Sequence, residues 1–592
     1  MLKVQLSQRL VDQLPKSNNW LLLGLWVVIG GILRFTQLAA KPPWTDEFAT
    51  MVFSLGNNFN SVPLNQVIPI DVLLQPLRFN ADAGVSDVVS LILQEDNHPP
   101  LYFVLAHLWT KLFPPLGEYV DIWMMRSLPA LLGILSIVGV YFLGKIAFRS
   151  PLIGQISAVL MAVSPYGIFL AQEARHYTLS ILFVIASLTC LVVAINHVFN
   201  AKKIPFWLVL LWIFINGLGL SVHFFFGLTL LAEGMTLSFL IYRQLKTEKS
   251  QLRLSKSNLF SLSLVVLGTM TTGLVWMGII ISQGYGNNMI TWIHPLEHIL
   301  YLISPPFQLL AVWVPMISLL PVESSSIPIV IISALILLLF FIWMIPYVVQ
   351  GIKKGLQLNT YNLQLRILMI FICSSILLFL GITYIIGLDI TRGARYSFVY
   401  FPAVMVIVGA SLAMFWNDLK PDQRIILNKP NFHPIFWVKT LYSKLNSNGK
   451  LAVYAVVFMG ILGAITVLVN LGYQKYYLPD RLVAVIKETA SHPVLIATTH
   501  KSLVQTGETM GIALELTKSS ELQDTSFLLA HQTKLNDPQV TQILEEAVQK
   551  LNHPLEVWTV NFHGSIDLNH CSLDDKKYPY INGYGYQRYI CQ

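Results

Sequence analysis

The chain has 592 residues, 54% hydrophobic and only 12% charged, with a mean hydropathy of +0.60. Soluble globular proteins carry about 25% charged residues, so the composition excludes a chain built of soluble domains alone and points to a polytopic α-helical membrane protein with soluble mass attached. The formal charge of +8 fits Lys and Arg gathered in cytoplasmic loops, and without a glycine-rich phosphate loop or zinc-finger spacing no nucleic-acid partner is expected.

The N-terminal segment holds Lys3, Arg9 and Lys16, and an apolar run follows from about Trp20 to Ala40. No small-residue cleavage site follows that run, so an uncleaved first span with a cytoplasmic N-terminus is expected. The chain then reads "KPPWTDEFAT", residues 41–50, at the start of a long loop, about 41–98. Its acids are Asp46, Glu47, Asp71, Asp82, Asp87, Glu95 and Asp96, against Lys41 and Arg78, which suits an outside location. Asp46 and Glu47 lie where the chain has just left a bilayer. Such a pair caps a short interfacial helix, serves as a general base at the rim of a dry cavity, or does both.

"NHPPLY", residues 97–102, closes the loop. Its two prolines set a loop-to-helix junction, and His98 is placed to bind substrate or support Asp46. The sequence shows no metal-ligand spacing around it, so no metal site is expected; a divalent ion is left open only as an unindicated cofactor.

Further apolar runs long enough to span fall at roughly 127–147, 152–170, 177–198, 205–222, 224–242, 258–281, 327–349, 366–388, 397–416 and 451–471. Two more, 99–114 and 299–320, are broken by Pro-Pro pairs. If neither crosses, Lys145, Arg149, Lys202, Lys203, the basic loop 243–256, Lys353, Lys354 and the loop 417–450 all face the cytoplasm. If both cross, every loop between them flips, and the segment holding Arg243, Lys246, Lys249, Arg253 and Lys256 faces out. Positive residues favour the inside, so about eleven crossings are expected, or thirteen with compensating segments, with the C-terminus outside.

The same parity puts "QEARHY", residues 172–177, and "RGARY", residues 392–396, on the outer side with the first loop. The first offers Glu173, Arg175 and Tyr177 for substrate binding. The second sets Arg392 and Arg395 around Gly393, before Tyr396. Outside arginines at the start of a span suit an anion, because a guanidinium forks onto phosphate and glycine lets the backbone approach. His223, at the outer end of a span, and His294 and His298 read as structural.

From about residue 473 the pattern changes. "HPVLIATTH", "HPLEVWTVNF" and "GYGYQRYICQ" read as strands, and "DPQVTQILEEAVQKL" as a capped amphipathic helix. A soluble extracytoplasmic α/β domain over 473–592 is expected. Cys571 and Cys591 both lie in it, on a side where a disulfide persists.

The acidic pair after the first span, "HPPLY", "SPYGIFLAQEARHYTL" and the late "ARY", in that order and on one side, resemble the GT-C class of membrane glycosyltransferases. More narrowly they are similar to family 39, which includes protein O-mannosyltransferases, and to the lipid A aminoarabinose transferases of family 83. The resemblance covers about residues 1–416 as the transferase module. A cytoplasmic loop over 417–450, a last span at 451–471 and the tail follow.

The resemblance implies transfer of a sugar from a polyprenyl-phosphate donor to a lipid, protein or glycan acceptor hydroxyl at the outer face of the plasma membrane. In that reading Asp46 is the general base, Glu47 its acidic neighbour, His98 the histidine of the HPP motif, and Glu173 and Arg175 second-loop site residues. Arg395, with Arg392, holds the lipid phosphate. A lipid or solute transporter is the competing class, but its charges belong at the membrane midplane and in an inverted repeat. A non-catalytic binder of lipid-linked sugar is the third reading.

Overall fold

The computed structural model describes residues 16–96, 98–246, 255–283, 293, 300–416, 449–518, 522, 524–534, 537–564, 566, 568 and 570–592. Lys3, Arg9, most of the basic loop 243–256, His294, His298 and nearly all of the loop 417–450 lie outside them.

Among the described residues seven helices are long and apolar enough to cross a membrane: Asn18–Phe35, Ile122–Phe148, Tyr177–Phe199, Lys256–Ile279, Ile327–Gln357, Asn362–Ile386 and Gly449–Leu468. An eighth candidate is a pair, Pro151–Val163 and Pro165–Ala171, bent by 58°. The chain is thus a multi-pass membrane protein.

The expected eleven runs are all helical, but not all are full-length spans by this measure. Phe206–Leu220 and Phe401–Trp416 are short, and Phe226–Lys246 carries Glu233, Arg243 and Lys246. The Pro-broken run 99–114 becomes a helix of 12 residues, Leu101–Leu112. At about 1.5 Å per residue it reaches only about 18 Å, against a hydrocarbon core of about 30 Å. The run 299–320 becomes Leu300–Ile317, with Pro305, Pro306 and Pro315 inside it.

The bend has a local cause that positions the site. Ser164 leaves the helix with extended backbone and accepts a hydrogen bond from the Gly167 N–H at 3.2 Å. Pro165 then opens the second helix at its first position, where the missing N–H costs nothing. The Ser164 hydroxyl also donates to the Met316 carbonyl at 2.8 Å, tying the bend to Leu300–Ile317. The short second helix delivers Gln172–Arg175 to the mouth of the bundle.

The tail contains the expected strands and helix. Strands β1 (Val67–Pro69), β2 (Val494–His500), β3 (Thr525–His531), β4 (Leu555–Val560), β5 (Cys571–Leu573) and β6 (Tyr586–Cys591) form one mixed sheet in the order β1-β3-β2-β4-β6-β5. β2 is buried along its whole length, as expected for a parallel central strand. The tail does not build the sheet alone. β1 comes from the first long loop, about 41–98, and pairs antiparallel with β3, Val67 opposite Leu528.

The first loop is bound to the tail a second time. Phe48, Met51 and Val52 of the helix Thr45–Ser54 share a core with Met510, Ile512 and Ala513 of the tail helix Leu503–Leu516. Burying each such side chain contributes roughly 1.5–3 kcal/mol. The helix bearing the acidic pair is therefore clamped from above.

Cys571 and Cys591 are disulfide-bonded across β5 and β6, 20 residues apart in sequence. Closing a loop of that size removes about 3 kcal/mol of unfolded-chain entropy. Cys591→Ser is expected to make the tail cleave at lower protease concentration than the wild type in detergent, a difference that reduction of the wild type abolishes.

Candidate active site

Segments far apart in sequence converge on Asp46. It lies in the first turn of Thr45–Ser54, and its side chain is 33% exposed. Its Oδ2 stands 3.6 Å from Arg175 Nη2 and 3.6 Å from Arg395 Nη2. Arg175 is buried; its Nη1 donates to the Asp46 carbonyl and to Thr50 Oγ1, each at 3.0 Å. These bonds fix one guanidinium against the helix turn that carries the carboxylate.

Arg395 lies on the other flank, its guanidinium 4.5 Å from the centre of the Trp44 ring. Its loop is held from behind. The Tyr166 hydroxyl donates to the carbonyls of Ala394 and Arg395, at 3.1 and 2.9 Å. A Cβ on Gly393 would stand 2.5 Å from the Tyr396 ring, so only glycine lets this turn fold back on its own aromatic. Tyr396 packs edge-on against Phe225, centroids 4.5 Å apart.

Glu47, read from the sequence as part of the catalytic pair, points the other way and is fully buried. Arg126 grips it with a fork, Nε to Oε1 and Nη2 to Oε2, both at 2.8 Å. The Ala174 N–H donates to Oε1 at 2.8 Å, and Lys475 Nζ lies 3.6 Å from Oε2. Burial raises the carboxyl's pKa, but the Arg126 and Lys475 charges and these donors outweigh it and hold the group below the usual carboxylate range. Its lone pairs are committed to the protein. It ties the first loop to Ile122–Phe148, to the second loop and to the tail.

Glu173 belongs to the same tie, paired with Lys475 and buried. Lys475 follows the membrane helix Gly449–Leu468, so the start of the tail reaches this tie through its ammonium. His98 lies beyond Arg175: Nδ1 is 2.6 Å from Asp96 Oδ1, and Nε2 is 3.2 Å from Arg175 Nη2. Asp96 thereby fixes the proton on Nδ1 and leaves Nε2 as acceptor. Tyr177 is buried at the start of Tyr177–Phe199, with Arg175 6.0 Å from its ring centre.

Arg392 takes a different place. It lines a neighbouring cavity of about 310 Å³ with Gln308, Thr391, Ala394, Glu323 and Tyr473. The remaining lining, Ala311, Val312, Pro315 and Leu319, is apolar.

Sequence reasoning missed Arg126, Thr50, Asp96 and Lys475 as site residues. Arg126 had a usable signal, since an ionisable residue near the start of an apolar run marks a site by default. It missed a further gathering: His98, His176 and His223, no two close in sequence, come together beside Arg175. The expectation of isolated histidines without metal-ligand grouping fails here, because folding and not spacing supplies the proximity.

Residues 97–276 match the sequence model of a family described as dolichyl-phosphate-mannose-protein mannosyltransferase. No curated protein matches the chain. Among solved structures, the chain is similar to ArnT from Cupriavidus metallidurans bound to undecaprenyl phosphate, at 11% identity and TM-score 0.46, covering 91% of this chain and 92% of that one. It is also similar to the Archaeoglobus fulgidus oligosaccharyltransferase AglB in complex with an inhibitory peptide and a dolichol-phosphate, at 11% identity and TM-score 0.43, covering 92% and 69%. The Saccharomyces cerevisiae Pmt1-Pmt2 complex bound to the sugar donor matches over 46% of this chain and 35% of that one, at 14% identity and TM-score 0.32. Over residues 97–276 the chain matches the family of dolichyl-phosphate-mannose-protein mannosyltransferases.

Proposed function

We propose that the protein transfers a sugar from a polyprenyl-phosphate donor to an acceptor hydroxyl at the outer face of the membrane. The observation that carries this reading is the pairing of one partly exposed carboxylate, Asp46, with Arg395 at 3.6 Å beside a mostly apolar cavity. A lipid-linked sugar phosphate needs these three things: a base, a cation for its phosphate, and an apolar bed for its chain.

The acceptor oxygen attacks the anomeric carbon while Asp46 takes the hydroxyl proton. The bond from that carbon to the phosphate oxygen breaks, and the lipid phosphate leaves with the electron pair. Attack opposite the leaving group inverts the anomeric carbon. Negative charge on the phosphate grows as the bond breaks, so Arg395 stabilises the transition state more than the ground state. Phosphate bound at Arg395 also draws that guanidinium from Asp46 and opens one face of the carboxylate to the acceptor. Arg175 holds the Asp46 backbone throughout. Arg392, in the cavity wall, meets the donor beyond the reacting phosphate, and Tyr396 and Tyr177 stand beside Arg395 and Arg175.

In this reading the N-terminus is cytoplasmic and the tail lies outside, clamped over the first loop. The test uses membranes with matched amounts of folded wild type or Arg395→Ala, supplied with native envelope acceptors. Polyprenyl-phosphate-linked sugars are followed by mass spectrometry. The wild type is expected to consume one species, and Arg395→Ala to do so about 10²–10³-fold more slowly. Membranes in which no lipid-linked sugar is consumed, or in which the sugar only changes sides, contradict transfer.

A further inference from the structure

Three imidazoles from three different connections meet behind the proposed base. His98 ends the first outer loop, His176 caps Tyr177–Phe199, and His223 sits between Phe206–Leu220 and Phe226–Lys246. Ring centroids lie 4.9 Å apart for His98 and His176, 4.5 Å for His176 and His223, and 5.9 Å for His98 and His223. One ring nitrogen from each falls within 4.8 Å of the others.

The cluster is deep and under-satisfied. His176 is 0% exposed and His223 5%. Among the described residues neither ring nitrogen of His176 has a hydrogen-bond partner, nor does Nε2 of His223. A buried polar atom left unmet costs about 1–3 kcal/mol, and three of them in one pocket call for a shared partner. Both rings are buried among positive neighbours. Arg175 and Arg395 face them from the second loop and the late loop, and Asp96 stands behind His98.

We propose that His98, His176 and His223 bind one divalent transition-metal ion of the zinc class. Three neutral imidazoles suit zinc, nickel and copper rather than magnesium or calcium, which take oxygen ligands. The Asp96 carboxylate on His98 Nδ1 supplies the outer support that metal-bound imidazoles carry, fixing the tautomer and raising the basicity of Nε2.

Binding has two local requirements. The ring nitrogens close from 4.8 Å to the about 3.4 Å that tetrahedral zinc needs. Two existing hydrogen bonds open, Arg175 Nη2 to His98 Nε2 at 3.2 Å and the Phe225 N–H to His223 Nδ1 at 3.0 Å. The site stands whether or not sugar transfer is the activity.

The full chain, purified in detergent without a polyhistidine tag and stripped with a chelator, is titrated with Co²⁺ and then with Zn²⁺ in competition. One Co²⁺ per chain is expected, with visible d–d bands that Zn²⁺ abolishes. X-ray absorption of the zinc-loaded wild type should show imidazole nitrogens at about 2.0–2.1 Å, a readout that needs no variant. His176→Ala should weaken Co²⁺ binding at least about tenfold, while exposed His570→Ala should bind as the wild type does. A folded wild type without d–d bands, or His176→Ala binding at wild-type affinity, overturns the site and leaves water as the partner of these rings.

Discussion

Asp46→Asn is expected to slow sugar transfer by about 10²–10⁴-fold, the usual worth of a positioned general base. The substitution keeps size and removes the proton acceptor. Its competing use is as a first-turn anion of Thr45–Ser54, worth only about 0.3–1 kcal/mol. That is too little to change a rate a hundredfold, which takes about 2.7 kcal/mol. The measurement is the first-order consumption of lipid-linked sugar in membranes matched for folded protein. A variant that retains more than a tenth of wild-type turnover would leave Asp46 as a helix-start residue only, and the base would have to be sought elsewhere.

The second large effect is on stability and lies one residue away. Arg126→Met leaves the Glu47 carboxylate buried with its main partner gone, and breaking a buried pair from one side costs about 3–5 kcal/mol. Both side chains are 1% exposed, so solvent cannot replace the lost fork. Glu47 is held below its ordinary range in the folded chain. Its contribution is therefore full above the unfolded glutamate value, about 4.3, and is lost as pH falls through the folded one. The gap in thermal stability between wild type and Arg126→Met should be widest near neutrality and should narrow below about pH 4. A gap that does not change with pH would mean that Arg126 acts through its bonds to the Leu38 and Lys41 carbonyls and not through the carboxylate.

Much of this was readable in the chain, for physical reasons that differ from part to part. Membrane helices announce themselves by apolar length, and the tail strands by alternation between turn residues. The rim around Asp46 was legible because ionisable residues at the mouth of an apolar helix are costly unless used. The choice between Asp46 and Glu47 was not, since adjacent acids on one helix turn point about 100° apart and only the packing says which faces a cavity. β1 was hidden because Val67–Pro69 is too short to show a pattern. Lys475 was hidden because a lysine after a span is ordinary until its two carboxylates are seen. The break at Ser164–Pro165 was present in the sequence, but the apolar residues on both sides masked it.

The strand β1 also ties the site to the order of synthesis. Val67 and its partner Leu528 are about 460 residues apart, roughly 25–90 s of ribosome time at about 5–20 residues per second. Through that interval the first loop waits outside the bundle without its sheet partner, its three-residue edge too short to find a stable one. Contacts of such long sequence separation form late. The helix carrying Asp46 is clamped only once the last 120 or so residues are made, so a chain truncated before Leu503 would carry every candidate site residue and still lack both the helix Leu503–Leu516 and the strand β3 that hold the first loop.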